Sequence, residues 1–98
     1  MTDEYIYQKR IVCAANRNKD GVIILGVRHW DSNMRNHAKL VCGEYIHGSE
    51  WEQGFIDQHS TFYTREEAWI IAFKAGQVIR RCGSDDINGG HLFSENLY

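Results

Sequence analysis

Residues 5–27 read YIYQKRIVCAANRNKDGVIILGV, and the fold turns on how this stretch is parsed. Residues 5–15 are rich in aromatic and β-branched side chains, which suit a pleated, half-buried surface better than a helix, so they are read as a strand. The segment NRNKDG at 16–21 is polar and ends in Asp20-Gly21, a dipeptide that accepts the positive φ of a tight hairpin turn. VIILGV at 22–27 is then the return strand, and the pair is an antiparallel hairpin that nucleates a sheet. Gly26, inside the second strand, marks a bulge or a close approach by another part of the backbone.

Downstream, Asp31 is placed to cap a short helix over residues 32–40, with Met34, Ala38 and Val41 on the packed face and Arg35 and Lys39 on the wet one. Residues 42–49, with Gly43 and Gly48, read as a loop or short irregular strand. EWEQGFID at 50–57 and residues 61–63 form a second hairpin around Gln58-His59-Ser60. Thr64-Arg65-Glu66-Glu67 has the spacing of a capping box, Thr64 and Glu67 each satisfying the other's amide. It opens the most apolar run of the chain, AWIIAFKA at 68–75, which Gly76 closes. Trp69, Ala72 and Phe73 are the expected packing face of this helix. Residues 77–82 read as a further strand or a loop, 83–90 as a polar loop, and HLFSENLY at 91–98 as an ordered tail with a strand-like start, anchored by Leu97 and Tyr98. The order lacks βαβ alternation, and the expected fold is α+β, an antiparallel β-sheet with two helices packed on one face.

The chain has 98 residues, enough for one domain but not for a deep internal site, since a domain of this size buries only roughly 60 to 65% of its unfolded surface. A net charge of −2 excludes a protein that coats duplex nucleic acid through its overall field. No run approaches the ~20 apolar residues that span a bilayer, and the acidic start Thr2-Asp3-Glu4 is unlike a secretory signal, so a soluble intracellular protein is expected. Cys13, Cys42 and Cys82 lie far apart, without a C-x-x-C pair, and read as reduced thiols. Proline is absent, which leaves glycine as the main turn punctuation.

Seven of the 11 basic residues are arginines, whose planar fork suits phosphate oxygens and whose face stacks on aromatic rings. Arg80-Arg81 is the sharpest cluster; its plainer reading is a solvated pair matched by Asp85 and Asp86. Arg28-His29-Trp30-Asp31 offers either an acid/base site, with Asp31 orienting His29, or a cap and a packed turn. Phe55, Phe62 and Tyr63 are stacking platforms for a base or core residues. The five histidines lack zinc spacing, and no Walker loop, dinucleotide fingerprint or Gly-x-Ser-x-Gly is present, so neither a metal nor a cofactor is expected. Gly83 to Asp86 and Asn88-Gly89-Gly90 read as turns rather than a phosphate cradle.

Five blocks in order carry a resemblance: C-A-A-x-R at 13–17, G-x-R-H at 26–29, Q-G-F-x-[DN] at 53–57, T-R-E-E-A at 64–68 and L-x-S-E-x-L-Y at 92–98. Together, over residues 11–98, the chain resembles the phage Thoeris anti-defence proteins of the first-described type. The resemblance implies a non-catalytic sponge that sequesters a cyclic ADP-ribose isomer made by TIR-domain proteins, in the cytoplasm of the infected bacterial host. It also implies a homo-oligomer, a dimer or trimer of dimers, with cyclic oligonucleotides held at a separate site in some members. Carried onto this chain, Phe55 and one arginine of the Arg80-Arg81 pair sandwich the adenine, the other arginine and Thr64 hold polar groups, and Arg28 and Asp57 complete the ligand set. Thr64 stands where relatives present asparagine, and Asp85 and Asp86 where a second phosphate-facing cation is expected. A small phosphodiesterase or nucleotide hydrolase using His29 and Asp31, and a host-takeover protein-binding module displaying Trp30 or Trp51, are the competing expectations.

Overall fold

The computed structural model describes residues 8–42, 51–81 and 90–98. Four strands form one antiparallel sheet: β1 (Ile11–Asn18), β2 (Ile23–Gly26), β3 (Trp51–Asp57) and β4 (Phe62–Thr64), in the order β2-β1-β3-β4. Two helices, α1 (Ser32–Cys42) and α2 (Arg65–Lys74), complete the α+β architecture.

The first hairpin forms as expected, but β1 runs on to Asn18, through polar residues read as turn. Asn16 is the reason: it pairs with Ile24 and Gln53 on the core face and is fully buried. Its amide, oriented so that both ends are satisfied, donates to Ala15 O at 2.9 Å and accepts from Trp30 Nε1 at 3.3 Å. The turn is narrower than expected and is built on Asn18, whose Oδ1 accepts from the amides of Asp20 and Val22 at 3.0 and 2.8 Å. Gly21 follows at φ +84°, a value L side chains rarely adopt.

A bulge lies between Ile11 and Cys13, not at Gly26. Val12 is the extra residue, half-exposed, and its insertion returns Ile11 to the core face opposite Asp57. Gly26 instead marks a close approach, since a Cβ there would land on Asp31 Oδ1 and 2.9 Å from Arg28 O. The outer edge of β2 is closed by side chains: Leu25 N–H donates to His37 Nδ1 at 3.0 Å, and Val27 and Arg28 N–H to Asp31 Oδ2 at 2.8 and 3.0 Å. Such caps leave little for another strand to pair with.

Both helices pack on one face of the sheet. Ala14, Ile24 and Phe55 meet Met34 and Ala38 of α1, Ala68, Trp69 and Ala72 of α2, and Leu92 in a single core cluster. Val41 and Phe73 depart from expectation, 47% and 48% exposed. For α2 the packed stripe is Ala68, Trp69 and Ala72, because small residues flanking one large indole let the helix lie close to the sheet, turning Phe73 outward. The Thr64–Glu67 capping box forms in both directions, at 3.0 and 3.2 Å.

Of the two readings for residues 77–82, the loop holds over 77–81, which form no strand. Gln77 takes that role with its side chain alone: Oε1 accepts from Ile11 N–H and Nε2 donates to Ile11 O, both at 2.8 Å, so one amide imitates a strand partner beside the bulge. The tail has no strand-like start either. It reaches over the core at Leu92 and closes in a 3-10 turn, Ser94–Asn96. The expected loops at 42–49 and 83–90 fall, beyond Cys42 and Gly90, outside the described residues, as do the start of the first strand at 5–7 and the side chains of Cys42 and Cys82.

Candidate functional site

The tail is where the candidate residues converge. Arg65, the first residue of α2, holds Leu92 from both sides: Leu92 N–H donates to Arg65 O at 2.9 Å, and Arg65 Nη1 donates to Leu92 O at 2.7 Å. The other fork atom, Nη2, donates to Gln53 Oε1 at 2.5 Å and lies 3.3 Å from His29 Nδ1. The guanidinium carbon stands 4.9 Å from the Phe93 ring centre and 6.0 Å from that of Phe55. Arg28 grips the same tail further on, through Ser94 Oγ at 3.2 Å, the main-chain oxygen of Tyr98, and the Glu95 carboxylate at 3.4 Å. Tyr98 answers by donating its hydroxyl to Val27 O at 2.6 Å. Asn96, fully buried, ties the tail to residues 79–80: its carbonyl accepts from Ile79 N–H at 2.8 Å and its Nδ2 donates to Arg80 O at 3.0 Å.

Among the sequence-predicted residues, Arg28 is part of this tail grip. Arg80 and Arg81 are exposed, and the Arg81 guanidinium lies over the Trp69 ring, 5.6 Å from its centre. Phe55 is fully buried, edge-on to His29 at 5.0 Å, and the guanidinium that faces it is that of Arg65. Thr64 uses its hydroxyl in the helix cap. Asp57 is buried in the β3–β4 turn, where Oδ1 accepts from the amides of His59 and Thr61 at 2.9 and 3.0 Å and Oδ2 from the Tyr63 hydroxyl at 3.0 Å. Burial alone would raise the Asp57 pKa, but the amides of Thr61 and His59 and the Tyr63 hydroxyl outweigh it and hold the carboxyl below its usual range. Asp85 and Asp86 lie outside the described residues.

Sequence reasoning missed Arg65, read only as a capping-box residue, and Gln53. The signal was present in the arginine type at the mouth of the best-defined helix, but its partners are 12, 27 and 36 residues away.

The His29–Asp31 pair expected of an acid/base site does not form. His29 Nε2 meets Gly54 O at 2.7 Å, while Asp31 accepts from Val27, Arg28 and Met34 amides, capping α1. Burial first and the Arg65 charge second pull the His29 pKa from 6.5 to about 4. For Asp31, burial acts upward, but the three amides overcome it and the carboxyl sits below its ordinary value. The tryptophans expected to be displayed are packed: Trp51 is 5% exposed in the core, and Trp30 is partly buried, edge-on to Trp51 at 6.1 Å. Among the described residues no group of three His, Cys, Asp or Glu side chains could hold a metal ion. No helix of the described residues is long and apolar enough to cross a membrane.

Fold and site together define a small antiparallel α+β domain whose C-terminal tail is clasped by two arginines. The family model for the phage T4 y16D protein matches residues 10–98, and the chain belongs to that family. It is a phage protein. No curated protein and no solved structure matches it.

Proposed function

We propose that this phage protein is a non-catalytic binder that sequesters a cyclic ADP-ribose isomer made by TIR-domain proteins and so blocks Thoeris immunity in the cytoplasm of the infected host. The observation that carries the reading is the adjacent, exposed pair Arg80 and Arg81, anchored through the Arg80 carbonyl to Asn96 and through the Arg81 guanidinium to Trp69. A cyclised ADP-ribose presents a pyrophosphate and a purine, for which two planar forks beside aromatic surface are the matching chemistry.

Two further observations support it. The acid/base candidates His29 and Asp31 are engaged in structural hydrogen bonds, which suits capture rather than turnover. The outer face of α2 carries Ile70 and Phe73, 59% and 48% exposed, an apolar surface suited to a second copy in a homo-oligomer, dimer or trimer of dimers, that completes a shared pocket. A cyclic oligonucleotide at a separate site belongs to the same reading. Trapping a signal at nanomolar Kd requires about 12 kcal/mol, more than one arginine fork provides, so several charge-assisted bonds and a stacked ring must act together.

Arg81→Ala tests the placement. Equilibrium dialysis against a cyclic ADP-ribose isomer should show capture abolished while size-exclusion chromatography shows the oligomer unchanged. Unaltered affinity would mean that the pocket lies elsewhere.

A further inference from the structure

Arg65 is a half-buried cation for which the described residues supply no ion-pair partner. Nη1 and Nη2 meet three neutral acceptors, Leu92 O, Gln53 Oε1 and His29 Nδ1, and the guanidinium lies beside two aromatic rings, Phe93 and Phe55. The Glu95 carboxylate, paired with Arg28, acts on Arg65 without bonding to it, and burial outweighs that attraction, so the closed site leaves this cation under-compensated. Next along the tail, Arg28 meets the main-chain oxygen of Tyr98 and the Ser94 hydroxyl as well as Glu95.

The groups that the tail places on these arginines resemble a nucleotide in kind. Phe93 is a flat ring against a guanidinium, as a purine would be, and the oxygens of Leu92 and Tyr98 sit on arginine forks, as phosphate oxygens would. We propose that residues 91–98 form a strap that occupies, in the free protein, a purine-nucleotide site made by Arg65, Arg28 and Phe55, and that the ligand binds by displacing it. This deepens the reading of the protein as a nucleotide binder and rests on it. Phe55, buried in the core cluster that includes Leu92, faces the Arg65 guanidinium from the sheet. On the Arg65 fork a phosphate anion replaces the uncharged Leu92 carbonyl, so the exchange favours the ligand there, while at Arg28 it takes the place of the Glu95 carboxylate. Because Asn96 anchors residues 79 and 80, lifting the strap also frees the segment that carries Arg80 and Arg81.

The strap competes with the ligand, so the apparent Kd is the intrinsic Kd divided by the open fraction. Phe93→Ala removes the competing ring and should tighten binding of a purine nucleotide by about tenfold, a magnitude set by one cation–π contact. Arg65→Gln should weaken it by at least about tenfold, the loss of one fork. The test titrates wild type and both variants with cyclic ADP-ribose, ADP and inorganic pyrophosphate by calorimetry. Alongside it, amide hydrogen exchange is followed at Leu92, whose N–H is bonded to Arg65 O, and at Ile79, whose N–H is bonded to Asn96 O. Saturating wild type with nucleotide should speed exchange at these amides at least about tenfold while Ala14 and Ala15 in β1 stay protected. Should Arg65→Gln fail to fold, the exchange of wild type decides alone.

Binding that leaves the Leu92 and Ile79 amides protected, or weaker binding by Phe93→Ala, would overturn the strap. So would the failure of all three probes to bind Phe93→Ala. Capture of cyclic ADP-ribose with an unmoved strap would leave the sponge reading intact. Arg65-dependent, strap-releasing binding of ADP without binding of cyclic ADP-ribose would sustain the strap and overturn the sponge.

Discussion

Nη2 of Arg65 lies 3.3 Å from Nδ1 of His29, the ring nitrogen opposite the one that meets the Gly54 carbonyl. A carbonyl only accepts, so Nε2 carries the proton and Nδ1 offers its lone pair to the guanidinium. The imidazole is thereby fixed as the neutral Nε2–H tautomer, joining α2 to β3 on the core side of the sheet. A second proton on the ring would point at a cation.

That arrangement has a pH signature. With a pKa of about 4 folded against 6.5 unfolded, His29 lets the unfolded chain take up a proton that the folded one refuses. The associated stability is complete above pH 6.5 and falls away as pH drops towards 4, by about 3 kcal/mol in all. Asp31 and Asp57, with lowered carboxyls, act below this window, their contribution disappearing as pH falls through their folded pKa values. Urea midpoints between pH 7.5 and 4 should decline steeply for wild type and more gently for His29→Gln. Parallel slopes would remove His29 as the cause.

Gly54 and Gly21 are expected to rank far apart. A Cβ on Gly54 would strike the Tyr63 carbonyl and sit 2.5 Å from Phe62 Cζ, so Gly54→Ala should cost about 3 kcal/mol by overpacking the β3–β4 pair. Gly21 has open space around it but φ +84°, and Gly21→Ala should cost about 1 kcal/mol from backbone strain. Equal losses in denaturant melts would show that the sheet at Gly54 yields more than its contacts suggest.

Thr64 separates a helix cap from a ligand contact. Thr64→Ala should lose about 1 kcal/mol of stability, because the Glu67 amide loses its acceptor, and Thr64→Ser should restore it. A variant that melts like wild type yet captures less ligand would assign the hydroxyl to the ligand instead.

The end of the tail gives a smaller effect. Tyr98→Phe deletes the bond to Val27 O and should cost about 1 kcal/mol, read as a lower urea midpoint at unchanged m value. No change would mean that Arg28 alone holds the end of the strap.

The features legible in the sequence are those whose partners are close in the chain. Asp20-Gly21, the Asp31 cap and the Thr64–Glu67 box are each complete within five residues, and each forms. The sheet and its two helices follow from them. What sequence reading missed depends on distant partners. Asn16 is a strand residue because Trp30 and Ile24 bury it, Gln77 replaces a strand because Ile11 lies beside it, and Phe73 turns outward because Trp69 already fills the space above the sheet. The site followed the same rule: Arg80 and Arg81 are recognisable as adjacent arginines, whereas Arg65 acquires its surroundings only when β3, the turn at His29 and the tail are brought to it.

Capture without cleavage is tested most directly by the fate of the ligand. Purified protein is incubated with a cyclic ADP-ribose isomer, the free ligand is quantified, the protein is denatured by heat, and the released material is identified by mass spectrometry. Depletion of the free ligand followed by recovery of the same intact molecule on heating is the expected result. A cleaved product would show an enzyme, and an undepleted ligand would show that this nucleotide is not what the protein binds; either would contradict the account.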